Sequence, residues 1–62
     1  METSNKPYIV ASIPALDEER TIAKVVINAM KHVDKVIVVD DGSSDMTGEI
    51  AERLGAEVIR HE

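Results

Sequence analysis

The stretch Lys35-Val36-Ile37-Val38-Val39-Asp40-Asp41-Gly42-Ser43-Ser44-Asp45 constrains the fold more than any other part of the chain. It begins as an unbroken β-branched run and ends abruptly in acids, a glycine and small hydroxyls. A short, non-alternating apolar run fits a strand buried on both faces, as in a parallel sheet. Four apolar residues bounded by Gly42 are too few for a buried helix. The acids and hydroxyls then read as a strand-to-helix corner at the carboxyl end of a strand, where open α/β sheets bind ligands.

The flanking segments support that corner. Residues 1–7 read as a flexible lead. Tyr8 to Ile13 is a β-rich run expected to stop at Pro14, which cannot donate to a ladder. Asp17 is the expected N-cap of a first helix, with Glu18 and Glu19 at its positive end. Ile22, Val25, Val26, Ala29, Met30 and Val33 then recur at helical spacing, and Lys31 and His32 suit the carbonyl end. Lys35 to Val39 is the second strand. Ser43, Ser44 and Asp45 offer caps for a second helix, whose stripe is Thr47, Ile50, Ala51 and Leu54. Glu49 and Arg53 make an exposed i, i+4 pair. Gly55 falls where a left-handed C-cap belongs, and Ala56 to Arg60 is a third strand.

The fold class is therefore α/β: a βαβαβ three-stranded parallel sheet in the order 3-2-1. Right-handed crossovers put both helices on one face. The other face is left bare, although Val36 to Val39 carry apolar side chains to both. Residues 1–62 thus read as a single partial domain, or as a chain that associates into a homo-oligomer. Sixty-two residues bury only about 60% of the unfolded surface, so such a domain is marginal alone.

Composition narrows the partners. Twelve acidic and seven basic residues give a net charge of −5, which disfavours a nucleic-acid surface. A nucleotide remains admissible, because its phosphates can meet a metal ion or helix N-termini. No cysteine is present, and His32 and His61 are too far apart for a local zinc site. No run is long enough to cross a bilayer, and residues 1–6 contain no apolar signal core. A cytoplasmic location is the expectation.

Common phosphate and nucleophile motifs are absent: neither G-x-G-x-x-G, nor G-x-x-x-x-G-K-[ST], nor G-x-S-x-G occurs. The acids Asp40 and Asp41 admit three readings. A carboxylate at a strand end can accept the ring N–H of uracil or guanine. Paired carboxylates also suit Mg²⁺ or Mn²⁺. Alternatively, they form an acidic turn that caps the second helix. Asp41, Ser43, Asp45 and Glu52 match calcium-loop positions, but Met46 stands where that loop needs glycine.

Two segments together resemble a known family. Ile13-Pro14-Ala15-Leu16-Asp17-Glu18-Glu19-Arg20-Thr21-Ile22 is similar to the "IPALNEE…TI" opening of inverting family 2 glycosyltransferases. Val38-Val39-Asp40-Asp41-Gly42-Ser43-Ser44-Asp45-Met46-Thr47 is similar to their "VVDDGSxDxT" segment. The subgroup most resembled is the dolichyl- or polyprenyl-phosphate mannose (or glucose) synthases. The resemblance spans Tyr8 to His61 and implies the nucleotide-binding half of a Rossmann-like GT-A fold. It implies that Pro14, Leu16 and Glu18 line the nucleotide pocket, that Asp40 contacts the base, and that Asp41 lies beside it. Gly42 and Ser43 match the turn behind the pocket. Asp17 replaces the usual asparagine, and Leu16 replaces an aromatic found in many members.

By the same resemblance the parent is a hexosyltransferase. It moves a sugar from a UDP- or GDP-linked donor to a lipid phosphate or another acceptor. The family's D-x-D, its catalytic base and its acceptor site have no match here, so no catalytic or metal-ligating residue is assigned. Mg²⁺ or Mn²⁺ belongs to the full-length parent, and none is expected on this chain alone. Two rivals come from other classes. One is a stand-alone βαβαβ dimerisation module, favoured by the bare face. The other is a receiver-like signalling domain, disfavoured because its acid pair follows the first strand, not the second.

Overall fold

A computed structural model describes residues 6–62. Of the expected lead, residues 1–5 lie outside the described residues. The chain forms five elements: β1 (Val10–Ala15), α1 (Ile22–Met30), β2 (Lys35–Asp40), α2 (Thr47–Arg53) and β3 (Glu57–Arg60). The strands form one parallel sheet in the order β1-β2-β3, a Rossmann-like βαβαβ half.

β2 is central, paired with β1 on one side and β3 on the other, and it carries the longest β-branched run, Val36 to Val39. Val36 and Val38 are buried beneath the helices, and Asp40 follows them on the same side. Register places Ala11, Ile13 and Ala15 beside Val36, Val38 and Asp40, so these share the covered face. Ile22 and Val26 of α1 and Thr47 and Ala51 of α2 close over it. Both helices lie on one side, as right-handed crossovers require. Val10, Ser12, Pro14, Ile37, Val39 and Ile59 point the other way. No described element covers them, and Val10 and Ile59 are 45% and 41% exposed. On that face Lys35 Nζ meets Glu57 Oε1 at 2.6 Å; the exposed pair contributes little to stability.

The first strand departs from the expected Tyr8–Ile13. It starts at Val10 and runs through Pro14, which pairs in register with Val39. The reason is the edge. Ile9 and Ala15 turn their carbonyls toward β2, accepting from Lys35 at 3.2 Å and Asp41 at 2.9 Å. Alternation then turns the backbone of Val10, Ser12 and Pro14 to the free edge, where a missing N–H costs no ladder bond. Ile9 sits before the strand and is pinned at both ends: its N–H donates to Asp34 Oδ2 at 2.7 Å, and its carbonyl accepts the Asp34 N–H at 2.8 Å.

Helix starts also differ from expectation. Asp17 is not a cap: α1 begins five residues later, after Thr21, and neither helix has a side-chain bond from its N-cap residue. Glu18 and Glu19 lie outside the first turn of α1, and Lys31 is its C-cap. The α1 stripe is buried at Ile22 and Val26, which pack against β2 and α2, whereas Val25 on its flank is 44% exposed. Gly55 does end α2 in the left-handed region, at φ 105°, with Ala56 N–H reaching back to the Ala51 carbonyl at 3.1 Å.

The core is made of small aliphatics, so each methyl counts. Val38→Ala, at a fully buried position, should lower stability to urea by on the order of 2 kcal/mol. Val25→Ala on the exposed side of α1 should cost about 0.5 kcal/mol or less. Equal losses in the two variants would contradict the described packing.

Candidate functional site

Parallel strands bring their carboxyl ends to one edge of the sheet. There the loop 16–21 after β1 and the loop 41–46 after β2 lie side by side. They are tied by reciprocal hydrogen bonds. Asp17 N–H donates to Ser43 Oγ at 2.8 Å, and Asp17 Oδ1 accepts from Ser44 N–H at 2.8 Å and Ser44 Oγ at 3.4 Å. Glu18 N–H donates to Thr47 Oγ1 at 2.8 Å. Glu19 N–H donates to Asp45 Oδ2 at 3.2 Å, and Glu19 Oε1 accepts the Met46 N–H at 2.8 Å. Asp17 achieves this from φ 52°, a left-handed conformation that a short polar side chain tolerates.

Asp45 shapes the start of α2. Its Oδ1 accepts the Thr47 N–H at 3.0 Å and also the Thr47 hydroxyl. The Thr47 hydroxyl is the main reason the Asp45 carboxyl is held below the usual aspartate range. Asp40 ends β2 at only 5% exposure. Its Oδ1 accepts the Ser43 N–H at 2.9 Å, closing the turn that Gly42 makes at φ 87°. The Asp40 carbonyl accepts the His61 N–H at 2.8 Å, so β3 is carried past its end alongside the loop.

Asp40 lines an open cleft of about 420 Å³ together with Ser43, Asp45, Glu49, Arg60 and His61. The five residues anticipated from sequence do not gather in it. Pro14 and Glu18 line a separate hollow of about 220 Å³ beside Thr21 and Ile22. Leu16 is half exposed. Asp41 points outward, 4.0 Å from His61 Nδ1 in an exposed pair. Of the residues that tie the loops, Asp17, Glu19, Asp45 and Thr47 stand out in the sequence as helix-start and stripe positions and as members of the two family-like segments, but nothing along the chain pairs one loop with the other. Arg60 stands out only as a strand residue. The signal for its place is the parallel register, which sets it beside Asp40. A further hollow of about 930 Å³ is a trough by β1 and α1 lined by Ile13, Val25, Ile27 and Ala29; it lies away from the strand ends.

Among the described residues no three His, Asp or Glu side chains gather closely enough to hold a metal ion. No described helix is long and apolar enough to cross a membrane.

Comparison with known proteins adds two kinds of likeness. The sequence model of the family described as Glycosyl transferase family 2 matches residues 11–62. An uncharacterized protein of Methanocaldococcus jannaschii is 45% identical over 58 residues, covering 92% of this chain and 24% of that protein. A UDP-N-acetylglucosamine–dolichyl-phosphate N-acetylglucosaminyltransferase of Methanococcus voltae is 49% identical over 43 residues, covering 68% of this chain and 17% of that enzyme. The chain thus spans a quarter or less of the length of these relatives.

The loop ties can be tested by substitution. Asp17→Ala removes the acceptor for Ser44 and leaves an alanine in the left-handed region, so it should cost about 1–2 kcal/mol in urea denaturation. Asp17→Asn keeps an acceptor and that conformation, and should lie close to the parent. For Asp45, a lowered folded pKa contributes stability above the ordinary aspartate value and loses it as pH falls through that value toward the folded one. Thermal melts from neutral to acid pH should therefore fall less steeply for Asp45→Asn than for the parent.

Proposed function

Because the chain belongs to glycosyl transferase family 2, we propose that it forms the nucleotide-binding part of a glycosyltransferase that passes a sugar from a nucleoside diphosphate to a lipid-phosphate acceptor. The observation that carries this reading is Asp40. It is a nearly buried carboxylate at the carboxyl end of the central strand, with one oxygen fixed by Ser43 and the cleft beside it. This is where open α/β sheets bind nucleotides. The name of the Methanococcus voltae relative favours a UDP-linked donor and a dolichyl-phosphate acceptor. In this reading Asp40 accepts a ring N–H of the base. Glu18 and Pro14, in the neighbouring hollow, flank the path of the donor across the first loop. Leu16 and Asp41 lie at its exposed margin.

Transfer breaks the bond from the sugar's anomeric carbon to the diphosphate and forms one to the acceptor oxygen. Mg²⁺ or Mn²⁺ would offset the charge of the leaving diphosphate in the whole protein. The described residues offer no donor set for that ion.

A second reading is favoured by the uncovered sheet face with Val10, Ile37, Val39 and Ile59. On its own the 62-residue chain would pair that face with a second copy. Sedimentation equilibrium at micromolar concentration separates a dimer from a strict monomer.

Calorimetric titration with UDP and GDP tests the main reading. Asp40→Asn keeps an oxygen for Ser43 but loses the charged acceptor, and should weaken nucleotide binding by about 1–3 kcal/mol. Unchanged binding would remove Asp40 from the site. The 62-residue chain alone should turn over no nucleotide sugar; robust transfer by it would overturn the proposed division of labour.

A further inference from the structure

We propose that Arg60 is a specificity-determining residue of the nucleotide pocket, donating to the carbonyl of a base whose neighbouring ring N–H is accepted by Asp40. The pair would read the –C(=O)–N(H)– edge shared by uracil and guanine. This inference rests on the nucleotide-binding reading above.

The geometry around Gly48 carries it. A Cβ placed on Gly48 would stand 2.8 Å from Asp40 Oδ2, 2.9 Å from Arg60 Nη2 and 3.1 Å from Arg60 Nε. One carboxylate oxygen and two guanidinium nitrogens therefore converge over a single bare Cα. They do not consume one another. Asp40 Oδ1 is occupied by the Ser43 N–H, and among the described residues no donor reaches Oδ2. Arg60 makes its ion pair with Glu52, loosely, at 3.8 Å. The sheet holds the two residues together, because Asp40 and Arg60 are register partners at the ends of β2 and β3.

An unspent acceptor beside an unspent donor is complementary to an N–H beside a carbonyl. In cytosine and adenine, held in the same orientation, donor and acceptor are exchanged. A ring nitrogen lone pair would face the carboxylate, and an amino group would face the guanidinium. Charge selects the same part of the ligand. Asp40, Asp45, Glu49 and Glu62 line the cleft with Arg60, so its acidic surplus admits a neutral base and repels a diphosphate.

The test is calorimetric titration of the intact protein with two pairs, UDP against CDP and GDP against ADP. The wild type should bind UDP, GDP or both at least about tenfold more tightly than the amino counterpart. The pair in which this occurs identifies the base. Arg60→Met should lose about tenfold of that ratio mainly by weakening the oxo ligand, while Arg60→Lys should keep an intermediate ratio because it retains charge but not the planar fork. Circular dichroism checks folding; if the methionine variant does not fold, the lysine variant decides. A ratio equal to the wild type in the folded variants overturns the role of Arg60 while leaving nucleotide binding intact. Absence of nucleotide binding by the wild type overturns both readings.

Discussion

Everything in this chain depends on the parallel pairing of β2 with a neighbour on each side. Two consecutive right-handed crossovers then have one outcome: both helices over one face, and every strand-to-helix loop at one edge. That arrangement makes a core from residues no larger than isoleucine. It also makes the candidate site, because the loops after β1 and β2 are brought side by side. The chain uses this proximity by crossing hydrogen bonds between them.

Those bonds explain an acidic composition that first reads as a surface property. Asp17, Glu19, Asp34, Asp40 and Asp45 each accept at least one backbone N–H outside regular secondary structure. Loops at a sheet edge leave donors that no ladder satisfies, and an unmet donor costs more than a made bond returns. Short carboxylates are efficient acceptors for this purpose. The net charge of −5 is therefore partly the wiring of the turns.

Element order, strand order and the placement of both helices were legible in the sequence because they follow from hydrophobic period and chain handedness. Gly55 was legible because a left-handed helix stop needs a glycine. Pro14 misled because its missing N–H forbids a central strand, whereas β1 is an edge whose outward positions need no donor. Asp17 misled for a different reason. Local propensity makes it a good cap, yet its partners Ser43 and Ser44 are 26 and 27 residues away. The same limit applied to the cleft. Asp40 could be singled out from its place at a strand end, but Arg60 joins it only through register across the sheet. Spacing along the chain carries no trace of that meeting.

Among the described residues the two buried polar ones, Asp40 at 5% and Thr47 at 0% exposure, flank the 41–46 loop, one ending β2 and the other starting α2. Polar burial is thus concentrated at the end of the core where the site lies, and each group is satisfied by a partner from a loop. In a small domain with a thin core, those bonds are a large share of the stability margin. A drastic substitution here removes an acceptor and leaves a buried donor unmet, so the fold and the pocket fail together. A replacement that keeps one acceptor oxygen, as asparagine does for aspartate, preserves the tie and alters only what faces the cleft. Such conservative changes separate what the site recognises from what holds it in shape.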